Sequence, residues 1–209
     1  MTQITQPRPA RPYELVVAVT GASGATYARR TLALLADEVA GGRPLRVHWV
    51  SSTTAPQVWA AELGGEMPEA LPHLRRWDRT DFGAPFASGS NAPDAVVVMP
   101  CSMSTLARVA HGGGDDLIAR ACEVALKERK RLILVVRETP LSLVHLRNMV
   151  AATEAGAIVL PAVPSFYAGI ETLEQAVDTV VVRALDRAGV ELDLLERWGQ
   201  TAAPPLSHA

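Results

Sequence analysis

Short apolar runs recur along this chain, and a longer segment of helical period follows nearly every one of them. The runs are Leu15–Val19, Leu45–Val50, Ala95–Met99, Leu132–Val136 and Ala157–Leu160. Such runs are apolar at almost every position, as parallel strands buried on both faces must be. The segments 24–38, 53–62, 102–110, 116–128, 141–152 and 173–187 read as helices; Leu32, Leu35 and Val39 set the spacing in the first. Pro56 falls in the first turn of its helix, where proline is tolerated.

Strand–helix alternation implies a parallel sheet with helices on both faces. The expected fold is α/β: a single three-layer αβα sandwich with a Rossmann-like sheet. The chain has 209 residues, which suits one domain that buries roughly 70% of its unfolded surface. The domain is expected over 14–199, with mobile segments at 1–13 and 200–209. Segment 64–92 is rich in Gly and Pro and has little period, so it reads as a long excursion.

Charge and composition exclude several functions. Twenty basic against 22 acidic residues give −2, which argues against a nucleic-acid binder. No apolar stretch reaches the roughly 18 residues of a membrane helix. The polar, Pro-rich first residues do not read as a secretory signal. The expected compartment is the cytoplasm. Cys101 and Cys122 form no C-x-x-C pair, and the five histidines are scattered, so no metal site is expected.

In an open α/β sheet, ligands sit beyond the carboxyl ends of the strands. Those ends read Thr20-Gly21-Ala22-Ser23-Gly24, Ser51-Ser52-Thr53, Pro100 to Thr105, Arg137-Glu138-Thr139 and Pro161 to Tyr167. Small hydroxyls at several ends, with an Arg, a Glu and a Tyr, describe a site for a phosphorylated ligand. The Gly21–Gly24 turn can offer helix N–H groups to a phosphate, or it can be only a tight connection. Ser102 is equally an ordinary helix cap. Arg120 and Lys127 stand two helical turns apart, on roughly one face. Arg137 directly follows a buried run, so a partner or a ligand is expected for its charge. Glu138 is the adjacent candidate partner, although neighbours on an extended segment can point apart. Arg183 sits among Val180, Val181, Val182 and Ala184.

These pieces together resemble the UbiX-type flavin prenyltransferases, within the flavin-binding cysteine decarboxylase-like superfamily. The matching segments are TGASGA at 20–25, PFASGSNAPDAVVVMPCSMSTLA at 85–107, ALKERKRLILVVRETPLSLVHLRNM at 125–149, GAIVLPAVPSFY at 156–167 and LERWG near the C-terminus. The resemblance implies a transferase that alkylates reduced FMN with dimethylallyl phosphate, closing a ring across flavin N5 and C6. The product, prenylated FMN, serves UbiD-type decarboxylases. By position, Gly21, Ala22, Ser23, Ser52, Ser102, Met103, Ser104, Thr105 and Arg137 are implied to hold the flavin. Tyr167 and Arg183 are implied to bind dimethylallyl phosphate. Arg120, Lys127, Glu62, Glu138 and Ser23 match further active-site positions, and Trp198 an aromatic near the pocket. The chain departs from relatives at Asp115-Asp116, where they carry an amide-rich pair, and at Ser104, where many carry a basic residue.

Relatives form trimers that build a dodecamer, with sites shared between subunits. Trp77, Phe82 and Phe86 in the excursion are expected to lie exposed unless a homo-oligomer covers them. Three other activities compete: peptidyl-cysteine decarboxylation, a non-catalytic flavin-carrying subunit, and direct decarboxylation of an aromatic acid. Segment 51–62 lacks the His of the cysteine decarboxylases.

Overall fold

The computed structural model describes residues 11–167 and 169–195. Most of the two expected mobile segments falls outside these residues, but Tyr13 does not. It opens the first strand, pairs with Leu45 in register, and donates its hydroxyl to the Ala188 carbonyl at 2.6 Å.

Six parallel strands form one sheet: β1 Tyr13–Val19, β2 Leu45–Ser51, β3 Arg75–Trp77, β4 Ala95–Cys101, β5 Arg131–Val136 and β6 Ile158–Pro161. Their order is β3-β2-β1-β4-β5-β6. The helices are α1 Ala25–Ala40, α2 Ala55–Leu63, α3 Met103–His111, α4 Leu117–Lys127, α5 Leu143–Glu154 and α6 Leu173–Arg187. The sheet carries one strand more than the five expected. β3 is three residues long and lies inside the excursion, too short to show a period.

Alternate side chains of the central strands enter two separate cores. Leu15, Val17, Val97, Met99 and Val135 pack on one face with α1 and α6 residues; Val16, Ala18, Val96, Val98 and Val136 pack on the other with α3 and α4. Each fully buried Val or Leu contributes roughly 1.5–3 kcal/mol. β1 lies between β2 and β4, so the chain reverses its winding there and a crevice opens beyond Val19 and Cys101.

The excursion is held by a buried polar cluster. The Trp77 indole N–H donates to His48 Nδ1 at 3.0 Å, and His48 Nε2 meets Glu14 at 3.0 Å. Indole is only a donor, so the neutral ring carries its proton on Nε2. Phe86 packs on both rings. Trp77 and Phe86 are therefore buried within one chain, contrary to the sequence expectation; of the three aromatics only Phe82 is exposed.

Burial holds the His48 pKa below its ordinary 6.5, although the Glu14 bond works the other way. The unfolded chain thus binds the extra proton first, and stability falls as pH drops through that value. We expect the thermal midpoint to fall between about pH 7.5 and about pH 5, a window in which histidine titrates. His48→Gln should flatten that slope. A variant slope equal to wild type would contradict the role given to His48.

Candidate active site

The crevice is built from its two lips. The Thr20 hydroxyl donates to the Pro100 carbonyl at 2.7 Å and accepts the Ser102 N–H at 2.8 Å. Ser52 N–H donates to the Val19 carbonyl at 2.9 Å. The ends of β1, β2 and β4 are thus tied together. Gly21 faces Thr54 so closely that a Cβ there would stand 1.9 Å from its Oγ1, so any side chain would displace the α2 start. Gly24 adopts φ +115°, a left-handed conformation that favours glycine.

A cavity of about 400 Å³ opens between these lips. Gly21, Ser52, Ser102, Ser104 and Thr105 line it, five of the residues expected to hold a flavin. Ala22 and Met103 are buried in the protein, which leaves their backbones for contact. Ser102 caps α3, accepting the Thr105 N–H at 3.3 Å, so the ordinary reading of this serine holds. Thr53, named at a strand end, lines the same cavity; the sequence reading missed Thr54, Arg79 and Arg108, which line it too. Arg79 lies in the excursion and Arg108 inside a helix, where neither breaks a local pattern.

The N-terminus of α1 is occupied. The Glu62 carboxylate accepts the N–H groups of Gly24, at 2.9 and 3.0 Å to its two oxygens, and of Ala25 at 2.7 Å. Burial pushes the Glu62 pKa up, but the bonds from Ser23, Gly24 and Ala25 and the charge of Arg137 outweigh it and leave the pKa below the ordinary value. Glu62 was expected at an active-site position. An ionised carboxylate so tied is a poor proton donor, and here it fixes the turn.

Arg137 is exposed at the end of β5, so burial does not oblige it to pair. Among the described residues it makes no ion pair with Glu138, whose carboxylate instead accepts the Thr139 N–H at 2.9 Å. Arg183 is likewise exposed on α6, without an ion pair among the described residues, despite its buried neighbours. One turn before it, the Thr179 hydroxyl accepts the Ser165 N–H at 3.1 Å, fixing the loop that carries Tyr167 to α6. Trp198 lies outside the described residues.

Arg120 and Lys127 do not join this group. Arg120 donates to the Ala87 carbonyl at 2.8 Å and lies 3.6 Å from Glu123. Lys127 pairs with Glu128 beside Gly89. Both ride α4, which packs on one face of the sheet, whereas α6 with Arg183 packs on the other. Lys127 also lies at the C-terminal end of α4, just before β5 begins, and Arg137 follows the end of that strand.

The Cys101 and Cys122 thiols are buried; burial pushes Cys101 up to about 12 and Cys122 higher. Both stay protonated and unreactive. Among the described residues no cluster could hold a metal ion, and no helix is long and apolar enough to cross a membrane.

The sequence model of the family described as Flavoprotein matches residues 3–185. Flavin prenyltransferase UbiX of Pseudomonas aeruginosa is 41% identical over 204 residues, covering 90% of this chain and 95% of that protein. The chain belongs to the UbiX flavin prenyltransferase family. Two solved structures of UbiX-type proteins superpose on it. A crystal structure of AnUbiX (PadA1) in complex with FMN and dimethylallyl pyrophosphate has a TM-score of 0.83 at 40% identity, covering 92% of this chain and all of that one. A dodecameric FMN-dependent UbiX-like decarboxylase from Escherichia coli O157:H7 has a TM-score of 0.81 at 37% identity, covering 88% and 98%. Family membership favours prenyl transfer over the cysteine-decarboxylase reading.

In this UbiX-family chain Glu62 acts as a helix cap from outside the helix. Glu62→Gln should lower stability by roughly 0.5–2 kcal/mol, toward the lower end because the group is exposed. The depressed pKa places the carboxylate's contribution above about pH 4.5, lost as pH falls through the folded value. Denaturant melts at about pH 7 and about pH 3.5 should therefore differ between wild type and variant at the higher pH and converge at the lower. An equal gap at both would refute the cap.

Proposed function

We propose that this chain transfers the dimethylallyl group of dimethylallyl phosphate to N5 and C6 of reduced FMN, and that the prenylated FMN passes to a UbiD-type decarboxylase. The observation that carries this reading is the hydroxyl-lined crevice at the switch point of a UbiX-family fold. Its residues fit a flavin nucleotide: Gly21 gives close backbone approach, and Ser52, Ser102, Ser104 and Thr105 offer hydroxyls. Reduced FMN supplies the electron-rich nitrogen and carbon that accept the allyl group.

The chain's residues divide the remaining work. Arg183 and Tyr167 hold the dimethylallyl phosphate. As the allylic C–O bond breaks, its electron pair passes to the phosphate, and a fixed guanidinium stabilises charge building there. Arg183 is free of ion pairs among the described residues, so its charge is not already neutralised. Glu138, on the same strand end as Arg137, would carry the proton that flavin N5 gives up to the departing phosphate. Ser23 and Glu62 keep the turn in shape. A phosphate monoester is a poor leaving group, so alignment in a closed pocket supplies much of the acceleration.

That pocket needs a second copy of the chain. Arg120 and Lys127 serve the site of a neighbour, because they lie on the far face of their own sheet. α5 provides an assembly surface: Leu143, Leu146 and Val150 form an exposed apolar stripe at helical spacing, while the same helix buries Asn148. A closed homo-oligomer, as large as a dodecamer, covers such a stripe without leaving free ends.

Anaerobic incubation with reduced FMN and dimethylallyl phosphate should add one C5H8 unit to the flavin by mass spectrometry; unchanged flavin would sink the reading. Arg183→Ala should leave flavin affinity intact and weaken use of dimethylallyl phosphate by roughly 10- to 100-fold. Glu138→Gln should bind both ligands and turn over roughly 10²–10⁴-fold slower. Loss of flavin binding in the first variant, or normal turnover in the second, would reverse these assignments.

A further inference from the structure

Both helix N-termini at the switch point are partly engaged by the chain's own groups. Glu62 takes the Gly24 and Ala25 N–H groups of α1, and Ser102 takes the Thr105 N–H of α3. Neither helix end carries a full formal charge, so a phosphate entering the crevice draws its counter-charge from side chains. The 400 Å³ cavity has two cations on its wall, Arg79 and Arg108, beside two carboxylates, Asp115 and Asp116, and none of its lining side chains is aromatic. Where Arg79 and the small hydroxyl groups face this space, the wall suits a phosphate better than a flavin ring.

Arg79 is the uncommitted charge. Among the described residues it has no ion-pair partner, and it is half-buried. Its backbone is fixed on both sides. The Asp78 carboxylate accepts the Thr80 N–H at 2.8 Å, and the Arg79 carbonyl accepts the Leu117 N–H at 2.7 Å. Arg79 also borders a neighbouring cavity of about 510 Å³, which shares Ser52 and Thr53 with the first. Its side chain therefore stands between the two spaces rather than on an outer rim.

Arg108 is committed but can exchange one partner. Its Nη1 lies 3.1 Å from Asp116, whose carboxylate is only 5% exposed and caps α4. Its Nη2 donates to the Thr105 hydroxyl at 3.5 Å. Asp115 stands 3.8 Å away and is 94% exposed, a pair of little energetic weight. Asp116 thus aims the guanidinium, and Asp115 is the carboxylate that an arriving phosphate displaces.

We propose that Arg79 and Arg108 recognise the phosphate of FMN, and that Arg79 is the residue by which this chain distinguishes FMN from riboflavin. The inference rests on the flavin reading above and adds the residues that select the phosphorylated form. Titration of the full-length protein with FMN and with riboflavin, followed by fluorescence quenching, tests it directly. Arg79→Gln should weaken FMN by about 10- to 100-fold, the size of one charge-assisted hydrogen bond, and leave riboflavin unchanged. Asp115→Asn should tighten FMN by a few-fold and leave riboflavin unchanged, because it removes a competitor without touching the buried Asp116. Riboflavin binding reports that each variant is folded. A wild type that prefers FMN while Arg79→Gln keeps the full preference overturns this inference alone, as does equal weakening of both flavins. Asp115→Asn with unchanged or weaker FMN affinity contradicts the place given to Arg108. A wild type that binds neither flavin overturns the proposed function, and this inference with it.

Discussion

One hydroxyl holds the two lips of the crevice in register. Thr20, 2% exposed, links the Pro100 carbonyl and the Ser102 N–H across 80 and 82 residues of sequence. Each such bond adds only about 1 kcal/mol net, but a buried group left without its partner costs about 1–3 kcal/mol. The bridge therefore acts as a specification more than as a source of stability. It sets how far β1 and β4 diverge, and thereby where Gly21 meets Thr54 and where α3 begins. The cavity, the capped helix ends and the cations on its wall follow from that spacing.

Charges around the crevice differ in how far they are already paired. Charges with a structural task are already paired: Glu62 with the start of α1, Asp116 with the start of α4 and Arg108, and Arg30 with Asp178 between α1 and α6. Of the charges assigned to ligands, Arg79, Arg137 and Arg183 lack ion pairs among the described residues, whereas Arg108 keeps Asp116 and Lys127 keeps Glu128. A paired charge is already partly compensated, so it meets an anion in competition with its partner. An exposed unpaired one keeps most of its charge for the substrate.

The strand-end logic made the crevice readable in the sequence, because buried runs reveal the strands and the residues just beyond them must lie at one edge. Gly21, Ser52 and the Ser102–Thr105 group were legible for this reason. β3 was not, since three residues carry no period and its pairing with β2 is a tertiary choice. Trp77 and Phe86 looked exposable because the bond from indole to His48 joins segments 29 residues apart. Glu62 looked catalytic because nothing local links it to a turn 38 residues away. Arg79 and Arg108 escaped notice because their position depends on the fold of the excursion and on the α3–α4 junction. The apolar stripe of α5 was hidden by an ordinary helical period, which shows that one face is apolar and not which way it points.

The central claim is that the substrate site is divided between copies: Lys127 on one sheet face serves Arg183 on the opposite face of a neighbour. Subunit mixing tests this most directly. Lys127→Ala and Arg183→Ala proteins, each impaired alone, would be dissociated together, reassembled, and assayed for prenylation of reduced FMN. Random reassembly should restore activity to about a quarter of wild type, because about one site in four then draws both intact residues from different copies. A mixture no more active than its two components would contradict the shared site and return both residues to a single chain.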